Sequence, residues 1–362
     1  MVSNETFLPF DDARPLLHDA DAIKERVERD GYLFISQLLP EKDVREVRAA
    51  IQQICQDAGW MDESGLPKRE PVLEGQTEWF TVYDRVQCLE AFHALAHHPN
   101  ILQVIEAIVR ESVFVHPRNI ARIVFPETGY YATPPHQDYV HIQGTMETYT
   151  VWIPLTDCPL GVGPLAILPG SHKLGLLPLH LAAGAGGLGV EVDDGNWEWR
   201  SQDMRAGDAL IFHSLTVHRA LPNNSKSSFR ISVDYRYQGI SQPIVEDSLL
   251  PHYGRLSWEQ IYSGWKRTDI QYYWRNLNLK IVQRDPSLTM PEEAKHKEEI
   301  VGLTGKSLST IPPKTTGAIS FQWRSALRTA IGFNNGDKPI PENAPVRILD
   351  IAGAIVVVES VN

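Results

Sequence analysis

The sequence predicts a mainly β fold, a barrel or jelly roll with helices on its outside, and three observations predict it. From about Val113 to residue 240, short segments rich in β-branched and aromatic residues alternate with turns rich in Gly, Pro, Asn and Asp, the pattern of many short strands closed on one another. Before Val113 the apolar spacing is helical. With 362 residues, 43% hydrophobic and 22% charged, the chain can bury a large core, and its composition is that of an ordinary globular protein.

Taken in order, Ala20, Ile23 and Val27 space out an amphipathic helix over residues 19–30 that stops at Asp30-Gly31. Tyr32 to Ile35 reads as a strand. Pro40 and the acids that follow open a second helix through Val47, Ile51 and Ile54. Leu89, Phe92, Leu95 and Ala96 mark a third, and Asn100 caps a fourth that runs to Ile108. Strands follow at Val113–Val115, Ala121–Pro126, Tyr149–Leu155, Ala166–Leu168, Ala209–His213 and Phe229–Tyr237. In the last of these Arg230, Ser232, Asp234 and Arg236 alternate with Ile231, Val233, Tyr235 and Tyr237, so a strand puts Arg230 and Ser232 on one face. Residues 180–197, with Gly184, Gly186, Gly187 and Gly189 followed by an acidic run, read as a flexible insertion, either a lid or an inert loop. Trp258, Tyr262, Trp265, Tyr272, Tyr273 and Trp274 are expected to pack helices against the barrel. The rest is rich in charge, Pro and Gly until Val346–Val358 returns to strand-like sequence.

Composition excludes several roles. A net charge of −11 without a Lys/Arg block argues against nucleic acid and mildly against a highly anionic substrate. No apolar run has the length of a signal or a membrane span. Three dispersed cysteines, Cys55, Cys88 and Cys158, fit neither a disulfide framework nor a zinc site. A cytoplasmic location is expected.

An iron(II) centre that activates O2 needs open coordination positions, which two imidazoles and one carboxylate on one face leave. His136, Asp138 and His218 can supply that set. His136 and Asp138 leave the same side of an extended segment, and His218 follows the Gly207-Asp208 turn and its apolar strand. On the next strand Arg230 can hold a carboxylate bidentately, with Ser232 adding a hydroxyl. This would fix the far end of 2-oxoglutarate while its keto-acid end chelates the metal. His213, five residues before His218, is a rival ligand, disfavoured by the spacing to Arg230.

The chain resembles the phytanoyl-CoA dioxygenase family over residues 20–240. The resemblance rests on Asp30-Gly31-Tyr32 with Leu38-Leu39-Pro40-Glu41, then His136-Gln137-Asp138, Trp152, Gly163-Pro164-Leu165, Pro169-Gly170-Ser171-His172, Gly207-Asp208, His218 and Arg230, in the family's order. It implies a double-stranded β-helix, cupin-like, with Fe(II) held by His136, Asp138 and His218 and 2-oxoglutarate held by Arg230. O2 is the second co-substrate, and succinate and CO2 are released. Trp152 is either a co-substrate neighbour or core, and His172 shapes a turn. Related halogenases lack the carboxylate ligand; with Asp138 present, hydroxylation of a small or medium organic substrate is expected. Arg122, Tyr139 and His141 are the candidate substrate contacts.

The expected organisation is one oxygenase domain over residues 1–285, helical to about 112, barrel over 113–240 and aromatic-rich helices over 241–285. An extension, 286–362, has no functional reading beyond a possible homodimer contact. Two alternatives stand beside this one: a cupin-like metal oxygenase or isomerase that uses the triad without 2-oxoglutarate, and a barrel that binds without turnover.

Overall fold

This computed structural model describes residues 6–192 and 197–361. Asp193 and Asp194 of the expected insertion lie outside the described residues.

Five helices precede the barrel: α1 (Ala20–Asp30), α2 (Glu41–Asp57), α3 (Thr77–Gln87), α4 (Glu90–Leu95) and α5 (Pro99–Val109). α1 begins at Asp19, whose side chain accepts from the N–H groups of Asp21 and Ala22, and ends at Gly31 with φ 76°. A Cβ at Gly31 would collide with His172 and Thr216. The Pro-Gly-Ser-His turn is thus seated directly on the end of α1. α3 is an addition to the predicted set, and α5 starts at Pro99 behind a His98 cap rather than at Asn100, because proline's φ suits the first helical position.

The oxygenase strands are β1 (Tyr32–Ile35), β2 (Val113–Val115), β3 (Ile120–Val124), β4 (Thr148–Pro154), β5 (Leu165–Ile167), β6 (Leu179–Leu181), β7 (Leu188–Val190), β8 (Ala209–His213), β9 (His218–Ala220) and β10 (Arg230–Gly239), with the short α6 (Tyr139–Ile142) between β3 and β4. A major sheet runs β1-β8-β4-β10-β2, with β3 also on β10. Facing it, shorter ladders join β6 to β7 and β5 to β9. They are stitched together by a Val190 N–H to Pro135 carbonyl bond of 2.8 Å and a bridge between His136 and His218. This is the expected double-stranded architecture.

Every residue of β10 is buried. Ile231, Val233, Tyr235 and Tyr237 pack in the same apolar cluster as Ile23, Ile51, Phe92 and Ile105 of the helices, and the hydroxyls of Tyr235 and Tyr237 donate to the carbonyls of Phe92 and Ala96. The alternate residues therefore point into the space between the sheets.

Downstream, β11 (Ile244–Val245), α7 (Trp258–Ile261) and β12 (Ile281–Val282) hold Trp258, Tyr262 and Trp274 in one cluster with Phe114 of β2, as expected for aromatics packed outside the barrel. The remaining segment, read as an extension without a functional role, has a fold of its own. After α8 (Glu292–Lys295) and α9 (Lys297–Ile300), β13 (Thr304–Ser307), β14 (Thr316–Trp323), β15 (Ala326–Asn334), β16 (Pro345–Ala352) and β17 (Ile355–Ser360) close a second barrel in the order β13-β14-β15-β17-β16. β15 and β17 run parallel and the other pairs antiparallel, the arrangement of an OB-type barrel. Its core is its own: Ile319, Phe321, Val346, Ile348, Val356 and Val358, joined by Leu181 of β6.

The predicted insertion is thus the β6–β7 hairpin, clasped between the two barrels. Glu293, its side chain 0% exposed, accepts from the Leu181 N–H (2.9 Å) and pairs with His180 (3.2 Å) and Arg328 (3.4 Å). No described helix is long and apolar enough to cross a membrane.

Candidate metal and co-substrate site

His136, Asp138 and His218 meet between the two sheets, with potential ligand atoms all within 4.8 Å of one another. His136 and His218 are brought together by reciprocal backbone bonds of 2.9 and 3.1 Å. Asp138 departs from the extended geometry expected of it. It stands at the position preceding α6 with φ −67° and ψ −28° and no side-chain capping bond, so the segment turns immediately after the histidine and the carboxylate is left to face inward.

Each imidazole is oriented by its other nitrogen: Nδ1 of His136 donates to the Pro134 carbonyl (2.8 Å) and Nδ1 of His218 to the Thr216 carbonyl (3.0 Å). Both Nε2 lone pairs then face Asp138 Oδ1, at 3.7 and 4.0 Å. Burial and the neighbouring His136 push His218 down to about 3, which keeps it neutral. Burial alone would raise the Asp138 carboxyl, but Arg236, His136 and His218 hold it well below the usual carboxylate range. Its second oxygen, Oδ2, accepts from the Thr150 hydroxyl (2.6 Å) and lies 3.5 Å from Arg236 Nη2. Two imidazoles and an oriented carboxylate around one point fit iron(II).

The same cavity is lined by Thr150, Trp152, Arg230, Asp234 and Arg236 from the major sheet. Arg230 is 5% exposed and donates through Nη1 to the Gly163 carbonyl. Gly163 can be nothing else: φ is +86° and a Cβ would run into the Leu221 carbonyl. Arg230 Nε and Ser232 Oγ are both buried without a hydrogen-bond partner among the described residues. A cation and a hydroxyl left unsatisfied side by side fit an incoming carboxylate.

Of the expected substrate contacts, His141 lines a cavity adjoining the triad, its ring 6.2 Å from that of His136. Arg122 lines the metal cavity, but its guanidinium is engaged by Glu74 (2.7 and 2.8 Å) and Asp234 (3.1 Å). Tyr139 stands at the start of α6, held by a backbone bond to Ser214, and lines neither of these two cavities. One helical position separates it from Asp138, enough to turn it away. His213, the rival ligand, lies apart, 3.5 Å from Glu147. Sequence reasoning passed over Arg236, although its parity with Arg230 and Ser232 was visible. It also missed Thr150, for which no local signal exists.

Residues 27–232, more than half of the chain, match the family model described as phytanoyl-CoA dioxygenase (PhyH). The 1-deoxypentalenic acid 11-beta-hydroxylase of Streptomyces exfoliatus is 28% identical over 270 residues, covering 68% of this chain and 91% of the relative. The peroxisomal phytanoyl-CoA dioxygenase of Homo sapiens is 24% identical over 276 residues, covering 69% and 80%. Among solved structures, the epimerase SnoN in complex with Fe3+, alpha ketoglutarate and nogalamycin RO aligns with a TM-score of 0.46 at 21% identity, over 63% of this chain and 86% of that one. The chain belongs to the phytanoyl-CoA dioxygenase family and is an iron- and 2-oxoglutarate-dependent oxygenase.

Proposed function

We propose that His136, Asp138 and His218 hold the iron, that Arg230 and Ser232 hold the distal carboxylate of 2-oxoglutarate with Trp152 beside it, and that the enzyme hydroxylates a small organic molecule. The observation that carries this is the pair of buried groups without a partner among the described residues, Arg230 Nε and Ser232 Oγ: Arg230 lines a cavity with the triad, and Ser232 lies two positions along the same face of β10. When bound, the iron couples decarboxylation of 2-oxoglutarate to succinate and CO2 with transfer of one atom of O2 into a substrate C–H bond.

The protein's own part is positional. Thr150 and Arg236 hold Oδ2 of Asp138, which leaves Oδ1 for the metal. The carbonyls of Pro134 and Thr216 fix the imidazole tautomers, and Trp152 and Phe212, 2% and 1% exposed, keep water from that end of the cavity. Arg230 rules in favour of the 2-oxoglutarate reading over a cupin-like oxygenase, which has no use for it.

Three free cysteines are in keeping with work in the cytoplasm. Leu327, 70% exposed on the small barrel, is one of the apolar residues that a homodimer contact through residues 286–362 would cover. The test of the site is anaerobic: Fe(II) and then 2-oxoglutarate are added to metal-free protein and the visible charge-transfer band of the chelate is followed. A band in the wild type that is lost in Arg230→Ala with iron retained is the expected result. Its absence in folded wild-type protein would sink the assignment.

A further inference from the structure

Beside the metal cavity, across Arg236, lies a second cavity of about 350 Å3 whose lining includes Arg118, Arg236 and Arg284. That volume is at the small end of the range for organic ligands. Arg118 Nε and Arg236 Nε are both buried with no hydrogen-bond partner among the described residues, and Arg236 is 8% exposed. Arg284 is anchored by bonds of 3.1 and 3.3 Å to the carbonyls of His141 and Val140 and stands 3.7 Å from Asp247.

Three guanidinium groups face the one carboxylate in this lining, Asp247. On the metal side, Asp138, 3.5 Å from Arg236, is committed to the metal, and Asp234 pairs with Arg122 at 3.1 Å. Of the histidines in this lining, burial pushes His116 to about 3 and His252 well below the usual imidazole range, so neither adds a charge. Converging cations that repel one another and leave buried N–H groups unsatisfied are costly to fold. An oxyanion would satisfy them, and paired guanidinium N–H groups match its geometry.

We propose that the primary substrate carries an oxyanion head group, a carboxylate or a phosphonate, clamped by Arg118 and Arg236 with Arg284 at the rim. This rests on the iron and 2-oxoglutarate reading, because Arg236 is the wall shared with the triad. It also reverses the expectation drawn from net charge: the surface is acidic, and this cavity is cationic.

The test uses protein loaded anaerobically with Fe(II) and one equivalent of 2-oxoglutarate. It is titrated with ring and chain carboxylates and phosphonates, led by cyclohexanecarboxylate and phenylphosphonate, and with the uncharged cyclohexanecarboxamide. The chelate band and the heat of binding are followed. Acids of one class should saturate the wild type and perturb the band, the amide should not, and the class that binds identifies the head group. Arg118→Met and Arg284→Met, neither of which touches the triad, should keep the chelate band and lose about tenfold or more in acid affinity. A chelate that forms while no acid binds, or acids that bind folded variants and wild type equally, would overturn the proposal. The acid-against-amide comparison in the wild type stands even where a variant fails to fold. No chelate band in the wild type would instead overturn the underlying reading, and the clamp with it.

Discussion

The two barrels of this chain fill their interiors in opposite ways. In the oxygenase barrel the inward residues of β10 are Arg230, Ser232, Asp234 and Arg236, all 8% exposed or less, and two of them carry buried N–H groups with no partner among the described residues. In the small barrel the inward residues are Ile319, Phe321, Ile348, Val356 and Val358, none above 2% exposed. Burying apolar area stabilises a fold, whereas burying charge destabilises it unless every group is paired. The difference teaches where to look for function: a charged interior is kept for what it binds, and a dry one for holding the structure together.

Four substitutions break or sharpen that contrast. The largest effect is expected from Asp138→Ala, which should reduce iron binding and turnover to the background of metal-free protein, read by metal content after gel filtration and by succinate release. Next, Ile348→Ala in the small barrel should cost about 2–5 kcal/mol, seen as an earlier thermal transition, while folded protein keeps its chelate band. If that variant lost 2-oxoglutarate binding while folded, the small barrel would be part of the site.

Arg230→Met should do the reverse. It should weaken 2-oxoglutarate binding by about 1.5–3 kcal/mol or more, since a charge-assisted pair is lost, and leave stability unchanged or higher because a buried cation is removed. A clear drop in melting temperature would mean that Arg230 is structural. The mildest change is Thr150→Val, which removes the hydroxyl that donates to Asp138 Oδ2 at 2.6 Å. Outer-shell partners of this kind are worth about 10–100-fold in metal affinity, measurable by competition with a chelator.

How much of this was legible beforehand depends on whether the signal was local. Alternation along Phe229–Tyr237 placed Arg230 and Ser232 on one face, and the same parity held Arg236. Asp30-Gly31 marked the end of α1 because left-handed backbone depends on neighbouring residues alone. Reading Asp138 as part of an extended segment failed, because the turn into α6 follows from tertiary bonds such as that of Tyr139 to Ser214. The small barrel was missed apart from its last strands: β13 is a four-residue strand of Thr, Gly, Lys and Ser, and its membership is decided by closure rather than by its own apolar pattern.

By itself, then, the sequence determined the fold class, the ligand types and the family resemblance, since all three rest on residue types in a fixed order along the chain. Only the tertiary structure decided that Arg118, Arg236 and Arg284, drawn from three distant segments, share one cavity, and that Arg122 is engaged by Glu74 and Asp234. Net charge sums over the whole surface, whereas a substrate meets only the few charges that folding brings within a few ångströms of it. No reading of −11 could have revealed a cationic pocket.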